Sequence, residues 1–178
     1  MIDTTSTINA ARNLQLVMRA SEGALVIVLA CVLLAGVIDV VGFGSKLALF
    51  GDYPEAHLRT WQGWALVLLV CVHLCLWIML LRTAGTLFRQ IAQETPAFAS
   101  RSAQIMAHVL WGLLVWGLLS QILASLAVTW HFPQGQRSIG IGFGTPQLTV
   151  IFAALIAGFM AKAFALGAAL WKDHKEVV

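Results

Sequence analysis

Residues 148–171 read LTVIFAALIAGFMAKAFALGAALW, and the only formal charge among them is Lys162. A helix needs about 20 apolar residues to cross the hydrocarbon core of a bilayer, so this run predicts a membrane span. Within it Ala153, Ala157, Ala161, Ala165 and Ala169 recur at every fourth position, with Gly158 beside them. One winding stripe of the helix is thus almost bare of side chains. Lipid tails are as apolar as leucine, so helices in a bilayer associate through van der Waals contact between such small-residue faces. The stripe is the expected packing face. An Ala-rich span with no particular partner is the blander alternative.

The rest of the chain agrees with a membrane solvent. Of its 178 residues 60% are apolar and 11% charged, with a mean hydropathy of +0.85, whereas soluble domains carry roughly 25% charged residues. The expected fold is all-α: an integral membrane four-helix bundle in one domain spanning residues 1–178. A formal charge of +3 and a pI near 9.0 raise the question of nucleic acid. The basic residues are scattered over short loops, however, and form no run of the kind a nucleic-acid patch needs.

Residues 1–22 begin with a Ser/Thr-rich tip, followed by a segment in which Ile8, Ala11, Leu14 and Met18 share one helical face. They show no secretory signal pattern, so the N-terminus is expected to be retained. This segment suits a helix in the membrane interface or a helical lead-in to the first span, expected at 23–43. Residues 44–60 hold Gly44, Gly51, Pro54 and mixed charges and are expected to leave the bilayer as a loop or short turn. The second span is expected at 61–81, opened by Trp61 and Trp64 and ended by Arg82. Residues 82–104 continue the helix into water until Thr95-Pro96 breaks it, with Ser100 or Ser102 as a cap for the next helix. The third span is expected at 105–130, a Gly- and Pro-containing outer loop at 131–147, the fourth span at 148–171 and a charged tail at 172–178.

Four spans place both termini on one side. That side carries Arg12, Arg19, Arg82, Arg89, Arg101, Lys172 and Lys175, while the other carries Lys46, Arg59 and Arg137. The positive-inside bias then puts both termini and the 82–104 segment in the cytoplasm. No internal repeat supports an inverted-repeat transporter.

Two motifs carry a resemblance. Phe164, Gly167, Leu170 and Asp173 follow one another at three-residue steps, and Pro96-Ala97-Phe98 lies just before the third span. Together they resemble the bacterial four-span membrane proteins called domain of unknown function 2975. In that family the proline and phenylalanine of the loop motif are adjacent, and an asparagine often stands where this chain has Ser102. The resemblance covers mainly residues 88–178. It implies a multi-pass protein of the bacterial inner membrane, in a family without assigned chemistry that is often found beside small helix-turn-helix regulators.

Intramembrane polar residues are the candidate chemistry, because a charge at mid-bilayer costs about 2.5 to 3.5 kcal/mol on insertion scales. Lys162 is expected about nine residues, roughly 13 Å, from the inner end of its helix, either snorkelling or bound to a lipid phosphate or partner carboxylate. Asp39 lies near the outer end of the first span, too far in depth to pair with Lys162, and is expected to reach water or a neighbouring amide. His73 sits near mid-span at a depth close to that of Lys162. His108 differs from His73 by roughly 8 Å in depth, which argues against a haem held between the two. A quinone site at His73 assisted by Gln121 is the other redox alternative.

Cys71 and Cys75 share a helical face from which His73 points away, about 200° round the helix. With Cys31 they read as small apolar residues, so no metal is expected. Gly140-Ile-Gly142-Phe-Gly144 lacks the spacing of a dinucleotide site and is expected to be an ordinary flexible loop. Trp61, Trp64, Trp130 and Trp171 read as interfacial belt residues, and Trp77, Trp111 and Trp116 as packing or lipid-facing ones.

No set of residues names a hydrolase or other catalyst, and no cofactor is implied. The leading functional expectation is a non-enzymatic accessory or regulatory subunit of a membrane assembly. Its partners would be lipids and other membrane subunits or a second copy, together with a cytoplasmic protein docking on 82–104. The alternative is a small carrier or a redox, quinone or haem anchor that uses Lys162, His73 and Asp39.

Overall fold

A computed structural model describes the backbone of residues 4–50, 58–93, 96–130, 132, 137 and 139–176, and side-chain environments for those residues except 4–9, 50, 96–98 and 171–176. The described residues form five helices: α1 Thr4–Ile38, α2 Val40–Phe50, α3 Thr60–Ala92, α4 Pro96–Thr129 and α5 Thr145–Glu176. Four of them contain stretches long and apolar enough to cross a membrane, Ala10–Ile38, Thr60–Ala92, Ala99–Thr129 and Thr145–Leu170. This is the make-up of a multi-pass membrane protein. Leu34, Ile38, Phe152 and Phe159 are among many large apolar side chains left on the surface. A water-soluble fold would bury such a surface.

The helices run past the expected span limits at several points. The first two segments fuse, because nothing in residues 4–38 breaks a helix, and α1 simply carries the interfacial segment into the span. The helix stops short of residue 43, since Asp39 leaves helical geometry and starts α2. Residues 44–50 are accordingly helix rather than loop, and residues 51–57 lie outside the described ones. Pro96 opens α4, a position where its missing N–H costs nothing. Ser100 and Ser102 are therefore interior residues of a helix already under way, and neither is its cap.

Each long helix packs chiefly on its neighbour in sequence: α1 on α3, α3 on α4 and α4 on α5, with α2 laid across the start of α3. Among the described residues no substantial face joins α1 to α4 or α5, so the spans form an open row where the sequence led us to expect a four-helix bundle. The reason lies in where the small residues point. Gly36 faces Val67 of α3, and buried Ala154, Ala157 and Ala161 of α5 pack toward α4. Neither set is left over to bring α1 and α5 together.

At the tryptophan end, Gln62 ties α3 to α4. It is 1% exposed, its amide donates to the Ala127 carbonyl at 2.6 Å, and its oxygen accepts the Arg59 N–H at 2.6 Å. Ala48, Leu58, Leu66, Leu69 and Val128 form a core beneath it. Trp61 and Trp130 meet edge to face with centroids 6.2 Å apart, and the Arg137 guanidinium lies 5.1 Å above Trp130. At the opposite, arginine-bearing end, Leu87, Ala99, Ala103 and Ala161 share a second core.

That second core fixes the level of α5. Ala161 stands with Ala103 and Leu87, and Ala154 and Ala157 stand with Ala107 and Leu110. Followed along both helices, this register brings Thr145 level with Leu119, about 15 Å below the end of α4 at 1.5 Å per residue. Residues 139–144 bridge the difference alongside α4. Gly140 N–H donates to Ser125 Oγ at 3.3 Å, and Gly142 N–H donates to Gln121 Oε1 at 2.7 Å. Two residues of extended chain rise about 6.6 Å and four residues of helix about 6 Å, so the two bonds fit a straight segment running beside α4. The expected flexible loop is thus a pinned one at this stretch. Its Ile139, Ile141 and Phe143 side chains remain exposed.

Candidate functional site

The expected polar site is spread over three places. Asp39 stands at the kink between α1 and α2, where its Oδ1 accepts the Gly42 N–H at 2.9 Å. This is the bond an N-cap aspartate makes to the third residue of its helix. The expectation that Asp39 would reach a neighbouring amide agrees with this geometry. Directly after it, the Val40 carbonyl meets Gly63 of α3 so closely that a Cβ on Gly63 would lie 2.5 Å from the oxygen. Asp39 is therefore held at the tryptophan end.

His73 lies in the middle of α3, lining a groove of about 440 Å³ with Leu47, Val70, Ser120, Gln121 and Ala124. The Trp77 indole N–H donates to His73 Nε2 at 3.1 Å. An indole can only donate, so Nε2 accepts and the imidazole is neutral. Gln121 shares the groove, as the quinone alternative supposed, but its oxygen is taken by Gly142. Trp77 is thus a hydrogen-bonding residue as well as a packing one.

Lys162 stands elsewhere. It is exposed and lines a groove of about 580 Å³ between α4 and α5 with Ser100, Gln104, His108, Trp111 and Gly158. His108 Nδ1 donates to the Gln104 carbonyl at 2.7 Å. Because Lys162 follows Ala161, it is level with Leu87 of α3, between Arg82 and Arg89. Along α3 that is about 21 Å from His73. The depth expected for Lys162, close to that of His73, is therefore corrected: α5 starts low, and its lysine reaches the arginine-bearing end. From the level of Gly63, beside Asp39, to that of Leu87 is about 36 Å.

The alanine stripe divides. Ala157 and Ala161 are buried, Ala153 is half-buried, and Ala165 and Ala169 are exposed; Ala154, outside the stripe, is buried at 1%. A Cβ on Gly158 would meet nothing within 4 Å. Steps of four lag a 3.6-residue helix, so a stripe at that spacing winds away from a straight neighbour. Phe164 packs on the core at the arginine-bearing end, while Gly167 and Leu170 are exposed. The side chains of Asp173, Trp171 and residues 96–98 lie outside the described ones.

Cys31 and Cys75 are exposed and Cys71 is half-buried. Among the described residues no three His, Cys, Asp or Glu side chains are grouped to hold a metal ion. The residues that join the helices were not singled out from sequence. Gln62, Gly36, Gly44, Gly63 and Ser125 are polar or small residues spread over four helices with no shared spacing. The available signal was a glutamine at the third position after Arg59, where it reaches back to a helix start. No family model, no curated protein and no solved structure matches the chain.

Proposed function

We propose that this chain is a four-span membrane protein with both termini in the cytoplasm, acting through helix contacts as an accessory or regulatory subunit and not as an enzyme. The carrying observation is the outer face of α5. Its neighbour α4 covers one side, and Phe152, Leu155, Ile156, Phe159, Leu166 and Leu170 are exposed. The last two lie beyond Ala161, past the level at which α3 carries Arg82 and Arg89. Hydrocarbon gives way to headgroups at such arginines, so a partner helix or a second copy covers the lower part of that face. The resemblance to the domain of unknown function 2975 proteins, on Phe164, Gly167, Leu170 and Asp173 and on Pro96-Ala97-Phe98, supports a bacterial inner-membrane setting.

A photo-reactive phenylalanine analogue at Phe159 or Leu166, in cells, tests this reading. Cross-links to a protein, with a native particle heavier than one chain in mild detergent, are expected. Lipid-only cross-links at both positions and a monomeric particle overturn it.

One observation supports a second reading, a quinone site: His73 and Gln121 line a common groove of about 440 Å³. Solvent extraction of the purified protein with ultraviolet spectra of the extract tests it, and an extract free of quinone absorbance removes it. A carrier that gathers Lys162, His73 and Asp39 around one cavity draws no support from residues so far apart.

A further inference from the structure

Where α1 passes α3 at the arginine-bearing end, a polar groove of about 490 Å³ opens between them, lined by Gln15, Arg19, Glu22, Arg82, Thr86 and Arg89, with Leu81 and Gly85 completing it. Two helical faces build it. Gln15, Arg19 and Glu22 follow at steps of four and three on α1, and Arg82, Thr86 and Arg89 do the same on α3, which puts each trio on one face. Gly85 lines the groove without a side chain, and a Cβ there would meet only Met18 Cβ, at 3.7 Å.

Three guanidinium groups face one carboxylate. Among the described residues none of the three makes an ion pair or donates a hydrogen bond to another group. Thr86 spends its hydroxyl proton on the Thr83 carbonyl at 2.7 Å. Its neighbours keep their donors: each guanidinium offers a planar fork that matches two oxygens of one phosphate. The level suits a headgroup, because the apolar run of α3 ends at Leu81 and that of α1 begins after Glu22. Basic pockets between spans at this level are where anionic lipid headgroups are held.

We infer that this groove binds a phosphate group, with Arg19, Arg82 and Arg89 as its ligands and Leu81 at the edge where an acyl chain would begin. The chemistry is shared by an anionic phospholipid headgroup and by free phosphate. The site is independent of the α5 face, so either proposal stands if the other fails.

The test uses the full chain in phospholipid-free detergent, probed by native mass spectrometry with added phosphatidylglycerol or phosphatidylcholine, and by thermal melting with inorganic phosphate. One phosphatidylglycerol held per chain, weakened about fivefold for each arginine removed in R82Q and R89Q, is expected. R101Q loses the same charge at the same end outside the groove and is expected to bind as the unaltered chain does. G85L keeps every charge and fills the space, and it is expected to lose the lipid too. Selective retention of phosphatidylglycerol without stabilisation by inorganic phosphate assigns the headgroup. Stabilisation by inorganic phosphate that disappears in R82Q/R89Q assigns free phosphate. Equal loss in R101Q, full binding in G85L, or no response to either probe overturns the site. Helical circular dichroism of each variant excludes a folding defect as the cause.

Discussion

Two seams hold this protein together with small residues, and they use them differently. Where α2 meets α3, glycines let backbone touch backbone: a Cβ on Gly44 would lie 2.9 Å from Gly63 Cα, and one on Gly63 would lie 2.5 Å from the Val40 oxygen. Where α5 meets α4, alanine methyl groups pack among Ala103, Ala107 and Leu110, and a groove of about 580 Å³ stays open beside them. A small side chain therefore marks a tight contact only when a neighbour's backbone occupies the space it leaves. Gly63 and Gly158 are the same residue in opposite situations.

The sharpest way to break this contrast is Gly63→Leu. Nothing flexible faces the new side chain, so a loss of about 3 kcal/mol or more is expected from overpacking, seen as a collapsed thermal melt of the detergent-solubilised chain. A wild-type melt would mean that the glycine seam is not tight. Next comes Gln62→Leu, one residue away, which strips the Ala127 carbonyl of its buried donor. A cost of about 2 kcal/mol is expected, and an unchanged midpoint would show that α3 and α4 do not depend on this bond.

Asp39→Ala removes the cap just before the Val40 contact and is expected to cost about 1 kcal/mol. Asp39→Asn keeps an acceptor and should cost clearly less; if both cost the same, the charge and not the cap is what matters. The smallest effect belongs to the other seam. Gly158→Ala adds a methyl group to open space and should cost nothing, gaining about 0.5 to 1 kcal/mol from the better helix propensity of alanine. A large loss there would show that α5 has a neighbour at Gly158 that the monomer does not supply.

How much of this was legible in the sequence follows from the range of each signal. The four apolar helices were plain, because hydropathy is local and a run such as 148–171 can satisfy its backbone only as a helix in lipid. The fusion of the N-terminal segment into α1 was less so, since an amphipathic lead-in and an interfacial helix share one pattern. Asp39 was placed near a helix end with water or a neighbouring amide as its partner, and a capping carboxylate has such an amide close by in sequence. The level of Lys162 was not readable. Counting from the ends of an apolar run assumes that the run and the membrane coincide, and α5 begins low because Gly140 and Gly142 run beside α4. Nor could pattern show that Gly63 sits against Val40 or that Arg19 joins Arg82 and Arg89. Those are meetings between helices, set by a register no single stretch encodes.

The two backbone bonds from Gly140 and Gly142 to Ser125 and Gln121 give α5 a latch. Sliding that helix one turn along α4, about 5.4 Å, pulls both N–H groups off their acceptors at once. Vertical creep is thereby opposed by two hydrogen bonds in addition to the packing of Ala154, Ala157 and Ala161 on α4. The segment that enters the last helix thus sets its depth against α4 before any side chain of α5 makes contact.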